Sequence, residues 1–230
     1  MKRPLYDYRG LSLKTLCEPR FSHLLLILGW VVYFSLYFIT ERLIPAESCR
    51  PVHCALDDAI PFCEYFAVFY IGWFLFVFAA LLYYLLVDAE SFRRLQIFLI
   101  VTQLTAMLCY IVWPTRQDLR PDSFARDNIF TLAMGFIYRI DTNTGVCPSL
   151  HAAYSFGVMS TVLKDRWLGR GWKLFVTLFT LLVCVGVCFV KQHSALDVIF
   201  AVPLGLLAEA IAYGRSWWLP RLRGKRETNT

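Results

Sequence analysis

Long apolar runs separated by short polar segments organise this chain. No Asp, Glu, Lys or Arg occurs within residues 22–40, 65–87 or 95–113. A helix crosses the hydrocarbon core of a bilayer with about 20 apolar residues, so each run predicts a spanning helix. Two more runs follow at 174–190 and 194–214, the second carrying Asp197 and Glu209. A sixth, 148–163, is short and opens on Pro148-Ser149-Leu150-His151. The expected architecture is all-α, an integral membrane bundle of six transmembrane helices. Its spans fall at about 22–43, 65–87, 95–113, 148–165, 172–190 and 194–214, in a single membrane domain over residues 1–230. No small-residue cleavage site follows the first run, which is long for a signal peptide, so it is expected to stay as the first span. No internal repeat or Gly/Ser linker divides the chain.

Composition supports this class. Hydrophobic residues make up 58% of the 230 positions, aromatic residues 17% and charged residues 17%, which does not describe a soluble domain. The net charge of +6 is sorted by side. With six spans, the N-terminus, 88–94, 164–173 and the region after 214 share one side and hold 16 of the 23 Lys and Arg. The positive-inside rule then predicts cytoplasmic termini with basic tails at 1–20 and 215–230. Orientation and anionic lipid account for this charge without nucleic acid. The opposite side holds the loops 41–64, 114–147 and 191–193.

Three segments at the outer span ends carry the candidate chemistry. In the turn Lys191-Gln192-His193-Ser194-Ala195-Leu196-Asp197, His193 and Asp197 are spaced i, i+4 and share a helix face. A carboxylate on one ring nitrogen fixes the tautomer and leaves the other free to attack. The plainer alternative is a hydrogen bond at the helix start. An ionisable pair in a membrane segment points to function, because burying charge there is expensive. Cys147-Pro148-Ser149-Leu150-His151 opens the fourth span. Proline suits a first helical turn, whose free amides attract phosphate. Ser149 adds a hydroxyl, and His151 fits a general acid; a cap with an interfacial histidine is the alternative. Trp113-Pro114-Thr115-Arg116-Gln117-Asp118-Leu119-Arg120-Pro121 closes the third span. Its arginines offer planar forks for phosphate oxygens, although such arginines also serve as solvated or headgroup-bound charges.

Pro148-Ser149-Leu150-His151 followed by His193-x-x-x-Asp197, with Arg120-Pro121 upstream, resembles the type-2 phosphatidic acid phosphatase superfamily. The resemblance runs from about Arg42 to Tyr213. The Ser-Leu-His form, with the stretch Leu56 to Glu64, is similar to the branch containing inositol phosphorylceramide synthases and bacterial homologues. Two motif cations are absent: Trp113 stands where the superfamily has Lys, and Val187 where it has Arg. Lys191 and Arg116 are the candidate replacements, with Arg139 behind them.

The resemblance implies that His193 attacks phosphorus and forms a phosphohistidine. Asp197 orients it, and His151 protonates the leaving oxygen and then activates water or an alcohol. Arg120, Ser149, Lys191 and Arg116 would hold phosphate oxygens. No cofactor or metal is implied. The expected function is a lipid phosphatase acting on a phospholipid or polyprenyl phosphate at the outer face. The alternative is a phosphotransferase moving a phospho-headgroup to an alcohol. A non-enzymatic lipid transporter is a third reading, for which internal repeats are expected.

The remaining polar residues carry less. His53, Asp57, Asp58 and Glu64 have no metal-ligand spacing; the acids are expected to cap the second span or touch the site. Tyr138 to Asn143 reads as an interfacial helix end, with Asp141 and Asn143 ordering the loop. Cys49, Cys54, Cys63 and Cys147 share the outer face, where a disulfide such as Cys49–Cys54 or free thiols both fit. Glu209 is expected to reach water or cap a neighbour, and Pro203 with Gly205 to kink the last span.

Overall fold

The computed structural model describes residues 3–222; Lys2, Arg223, Lys225 and Arg226 of the basic tails lie outside the described residues. A 3₁₀ segment, Ser22–Ile27, leads into α1 (Leu28–Leu43). The two-residue strand β1 (Arg50–Pro51) and the short α2 (Ala55–Ala59) follow. Next come α3 (Ala67–Val87), α4 (Ala89–Val112), β2 (Thr115–Arg116) and α5 (Ile129–Ile140). The chain ends with α6 (Leu150–Lys164), α7 (Arg170–Phe189) and α8 (Ala195–Tyr213), the last prolonged by a π-helical turn, Gly214–Trp218.

Among the described residues, five helical segments are long and apolar enough to cross a bilayer: Ser22–Leu43, Glu64–Val87, Ala89–Val112, Arg170–Phe189 and Ala195–Leu222. The protein is therefore a multi-pass membrane protein, nearly all-α. The weak fourth run has a physical cause. With 15 residues, α6 is about 22 Å long, short of the ~30 Å hydrocarbon core. It packs against α4, α7 and α8. Ala152, Ala153, Tyr154, Ser155, Gly157, Val158 and Thr161 are all buried, so much of its surface meets protein and small or hydroxylated residues replace large apolar ones.

Two boundaries differ from expectation. The segment 88–94, read as a loop, is the start of α4. Asp88 alone separates α3 from α4, and its carboxylate accepts from the Glu90 and Ser91 amides at 3.2 Å, capping the new helix. The helix whose end is expected at Tyr138 to Asn143 does close there, at Ile140, and begins at Ile129, where Asn128 forms a capping box with Thr131. Both ends of α5 lie at one end of the bundle. Asn128 donates to Glu64 at 3.1 Å, and Asp141 lies beside Tyr70. This helix therefore does not cross.

The two ends of the bundle are distinct. At one, Arg3 binds Asp88 and, at 2.7 Å, Asp165. Glu209, expected to reach water or cap a neighbour, instead pairs with Lys164 at 2.7 Å and accepts from Trp218 at 2.7 Å. At the other end, β1 and β2 pair in parallel and join the 44–52 loop to the segment after α4. α8 continues through Pro203 without a break in its assignment.

Gly157 sets the approach of α6 to α4. A Cβ there would stand 2.6 Å from Cδ1 of Phe98, which is fully buried. Gly157→Val is expected to lower stability by about 1–3 kcal/mol through overpacking. Thermal unfolding in detergent measures this; an unchanged transition would mean that α6 and α4 can separate freely.

Candidate active site

The turn from α7 to α8 builds the site. α7 ends at Phe189, and the Gln192 and His193 amides both donate back to the Val187 carbonyl, at 3.0 and 3.1 Å. Val187 therefore serves in the wall of the bundle, fully buried. Lys191 takes up φ +52°, the left-handed region that costs an L-residue roughly 1–2 kcal/mol. Its side chain explains why glycine is not used there: Nζ donates to the Asp57 and Ile60 carbonyls at 2.9 and 2.5 Å, ending α2.

α8 then starts at a dense cap. Ser194 forms a capping box with Asp197, whose Oδ2 accepts from the Ser194 amide at 2.9 Å and contacts His193 Nδ1 at 3.1 Å. Asp57 grips the same turn from outside. It accepts from the Ser194 hydroxyl at 2.6 Å, the Ala195 amide at 2.8 Å and the Cys54 amide at 2.8 Å. Burial alone would raise the Asp57 carboxyl. The hydrogen bonds from Ser194, Ala195 and Cys54 outweigh it and hold the group below the usual carboxylate range.

His193, Asp197 and His151 come together as the sequence expects. With Nδ1 protonated toward Asp197, Nε2 of His193 carries its lone pair, and His151 Nδ1 stands 3.2 Å from it. Asp197 Oδ1 is buried without a partner, which leaves that carboxylate free to stabilise a cationic imidazole. The His151 ring lies against Tyr70 and Trp73, with centroids 4.7 and 4.3 Å away. Start of α6 and start of α8 are tied by the Ser149 amide donating to the Asp197 carbonyl at 2.9 Å. Tyr110 on α4 steadies the same corner through the Pro148 carbonyl at 2.7 Å.

The four residues expected to hold phosphate have other partners here. Ser149 is fully buried and caps α6 by accepting from the Ala152 amide at 3.4 Å. Lys191 is committed to α2. Arg116 binds Asp118 at 3.0 Å and the Ala46 and Cys49 carbonyls at 2.9 and 3.0 Å. Arg120 points its guanidinium at Gln192 Oε1 (3.1 and 2.6 Å) and at the carbonyls of Tyr138, Asp141 and Thr142 (3.2, 2.9 and 2.9 Å). An Arg side chain has five N–H donors, and these contacts use them all. The cations thus close loops around the histidines by satisfying backbone carbonyls that have no partner in a helix or sheet. Arg139, the lesser candidate, donates to its own helix at Gly135.

His151 and His193 open on a cavity of about 870 Å³. One wall is the aromatic face of α1, with Trp30, Tyr33, Phe34, Tyr37 and Phe38; the facing wall is α3 from Tyr70 to Leu85. Those fifteen steps of helix make the cavity about 22 Å long. Its polar end holds Asp141, Thr142, Gln192, His151 and His193. Gln192 and Asp141 are the contributors that sequence reasoning missed in this role. Gln192 Nε2 donates to Tyr70 at 3.1 Å and to Asp141 at 3.2 Å. Burial pushes the Asp141 carboxyl above its ordinary range, opposed by Arg120 and His193. The signal for both lay in adjacency: Gln192 precedes His193, and Asp141 follows a capped apolar helix.

All eight cysteines carry free thiols, so the Cys49–Cys54 pairing does not form. The Cys49 thiol lies 3.6 Å from the Pro45 carbonyl, and Cys54 takes part in the capping box of α2. His53 pairs with Asp58 at 2.8 Å on the surface, away from the site.

Arg120→Ala is expected to destabilise the ligand-free protein by about 3 kcal/mol, since it strips charged hydrogen bonds from three carbonyls and Gln192. A guanidinium kept free for a ligand would leave that transition unmoved. Asp57→Asn is expected to cost roughly 1–3 kcal/mol at neutral pH. Because the folded carboxyl is depressed, its contribution is complete above the unfolded value near ~3.9 and is lost as pH falls through the lower folded value. Unfolding followed against pH should therefore show an acid-side slope in the wild type that Asp57→Asn lacks. Compared with protein-family models, curated proteins and solved structures, the chain gives no match.

Proposed function

We propose that the protein is a membrane-embedded phosphorus-transfer enzyme acting on a phosphorylated lipid through a phosphohistidine at His193. One observation carries the reading. A histidine oriented by a buried carboxylate presents its free nitrogen, beside a second histidine, at the polar end of a long apolar cavity. A slot about 22 Å long suits a lipid chain, and a nucleophile at its end suits the head group.

In this mechanism the lipid's phosphorus displaces His151 from His193 Nε2, because 3.2 Å between the two nitrogens leaves no space for it. Nε2 then forms a bond to phosphorus as the bond to the leaving oxygen breaks, and His151, entering this step as the imidazolium, gives that oxygen a proton and becomes neutral. Asp197 stabilises the cationic ring of His193. In the second half, His151 takes a proton from water or an alcohol, whose oxygen bonds to phosphorus as the N–P bond breaks. With Arg120, Lys191 and Arg116 engaged elsewhere, and Gln192 spending both its N–H donors on Tyr70 and Asp141, the phosphoryl oxygens are met by His151 and by the Leu150 and His151 amides at the start of α6.

We read α6 as the sixth span, shielded from lipid by α4, α7 and α8. The positive-inside rule then puts the end bearing Arg3, Arg93, Arg94 and Lys164 in the cytoplasm and the histidines on the extracytoplasmic side. Hydrolysis stands slightly ahead of transfer to an alcohol, since nothing besides water is needed to finish the cycle. The motif resemblance to type-2 phosphatidic acid phosphatases points to the same chemistry.

His193→Ala is expected to abolish turnover of radiolabelled phospholipids by purified protein, and Asp197→Asn to slow it by about 10²–10⁴-fold. Wild-type protein quenched during turnover should carry label on His193 that is stable to alkali and lost in acid. Free phosphate or phospho-alcohol as the sole product marks a hydrolase; an acceptor-dependent lipid product marks a transferase. Full activity of His193→Ala would sink the assignment.

A further inference from the structure

The polar end of the cavity also carries information about the head group. Among the described residues, no Lys or Arg lines this cavity. Its one acidic residue is Asp141. Oδ2 accepts from Gln192 at 3.2 Å and from the Tyr70 hydroxyl at 3.4 Å. Oδ1 is 3.4 Å from the Tyr37 hydroxyl, but that single proton goes to Glu41 at 2.8 Å. Glu41 Oε1 also accepts from Thr142 at 2.6 Å, so a second carboxylate stands one hydrogen bond behind the first. Arg120 is the nearby cation, 4.0 Å from Asp141, with its donors turned to Gln192 and backbone carbonyls. Around the Asp141 corner, two carboxylates stand against the one guanidinium of Arg120.

A head group bearing extra negative charge is disfavoured there, because like charges at low dielectric repel strongly. A cation fits. Tyr33 and Tyr37, with ring centroids 6.1 Å apart, line the cavity on the wall facing Tyr70 and Trp73. Aromatic faces beside a carboxylate form the environment that binds alkylammonium groups, whose methyl or methylene surface is apolar and whose charge is spread.

We infer that Asp141, backed by Glu41 and flanked by Tyr33 and Tyr37, binds an ammonium group, so that the lipid taken is a phosphodiester with a choline- or ethanolamine-type head. The inference rests on the proposed role of His193, which would hold the phosphorus one residue along from Gln192 while Asp141 holds the charge beyond it. It separates this substrate class from phosphate monoesters and from inositol- or glycerol-headed lipids, which bring no cation.

The test uses purified full-length protein in mixed micelles with phosphatidylcholine, phosphatidylethanolamine, phosphatidylglycerol or phosphatidic acid. The ammonium-bearing lipids are expected to turn over about tenfold faster than the other two, as one desolvated cation contact implies. Asp141→Asn should bring that ratio close to one, and Glu41→Gln should move it the same way, which serves if Asp141→Asn does not fold. Phosphatidylglycerol turned over as fast as phosphatidylcholine by the wild type overturns the inference. So does an Asp141→Asn variant that slows every lipid by the same factor. Binding to His193→Ala distinguishes this failure from failure of the catalytic reading. Trp30 and Trp73 line the cavity, so their fluorescence reports short-chain lipid entering it. Binding selective for phosphatidylcholine over phosphatidylglycerol, with no turnover in the wild type, removes the enzyme and keeps the ammonium site. Equal binding of the two removes the ammonium site.

Discussion

Five polar side chains buried within one tight turn govern this molecule. Lys191, Gln192, His193, Ser194 and Asp197 are each no more than 8% exposed, at the end of two apolar helices. Buried polar groups in such a setting must find partners inside the protein. Much of the irregular structure at that end of the bundle answers the demand. α2 supplies Asp57 for Ser194 and Ala195, and two carbonyls for Lys191. The segment after α4 supplies Arg120 for Gln192, and the end of α5 supplies Asp141. Tyr138 of α5 donates to the Val190 carbonyl at 2.5 Å. The loops are therefore a satisfied shell around His193, and the precision of the histidine follows from theirs.

That shell explains what was legible in the sequence. The spanning helices were, because their signal is a sum over about 20 residues that all face the same solvent. α6 was weaker, since a helix wrapped by protein can be built of Ala, Gly, Ser and Thr. α5 was largely missed: twelve residues fall below spanning length, and its exposed Ile129, Leu132, Phe136 and Ile140 mark an apolar stripe at helical spacing. His193, Asp197 and His151 were legible because i, i+4 spacing and shared span ends are local properties. The roles of Lys191, Arg116 and Arg120 were not. Charge sign alone cannot separate a cation that meets a ligand from one that meets a carbonyl 22, 70 or 134 residues away.

The redistribution of cations changes the electrostatic character of the site. A pocket read from sequence as a cluster of arginines and lysine around phosphate is lined by two histidines, one aspartate, two glutamines and aromatic rings. Positive charge is still present, but it sits one layer out, where it neutralises carbonyl dipoles and offsets part of Asp141. Its influence on a bound phosphoryl group acts over several ångströms instead of through direct contact. In a low-dielectric surround that influence is not lost, since the interaction falls only as the inverse of distance.

The contact between the two histidines gives the resting state its logic. Nε2 of His193 would be an unsatisfied buried acceptor if His151 did not meet it at 3.2 Å, and such an acceptor costs about 1–3 kcal/mol. In the proposed reaction, a phosphorylated head group arriving along the cavity would replace that contact with a bond to phosphorus and free His151 to face the leaving oxygen. The energy that holds the empty site closed is modest beside what burial of a lipid chain along α1 and α3 returns, at roughly 25 cal/mol per Å² of apolar surface. On the proposed function, the long aromatic wall and the histidine pair would work as one device: occupation of the wall would make opening of the pair favourable, and a short polar phosphate lacking a chain would have no equivalent source of binding energy.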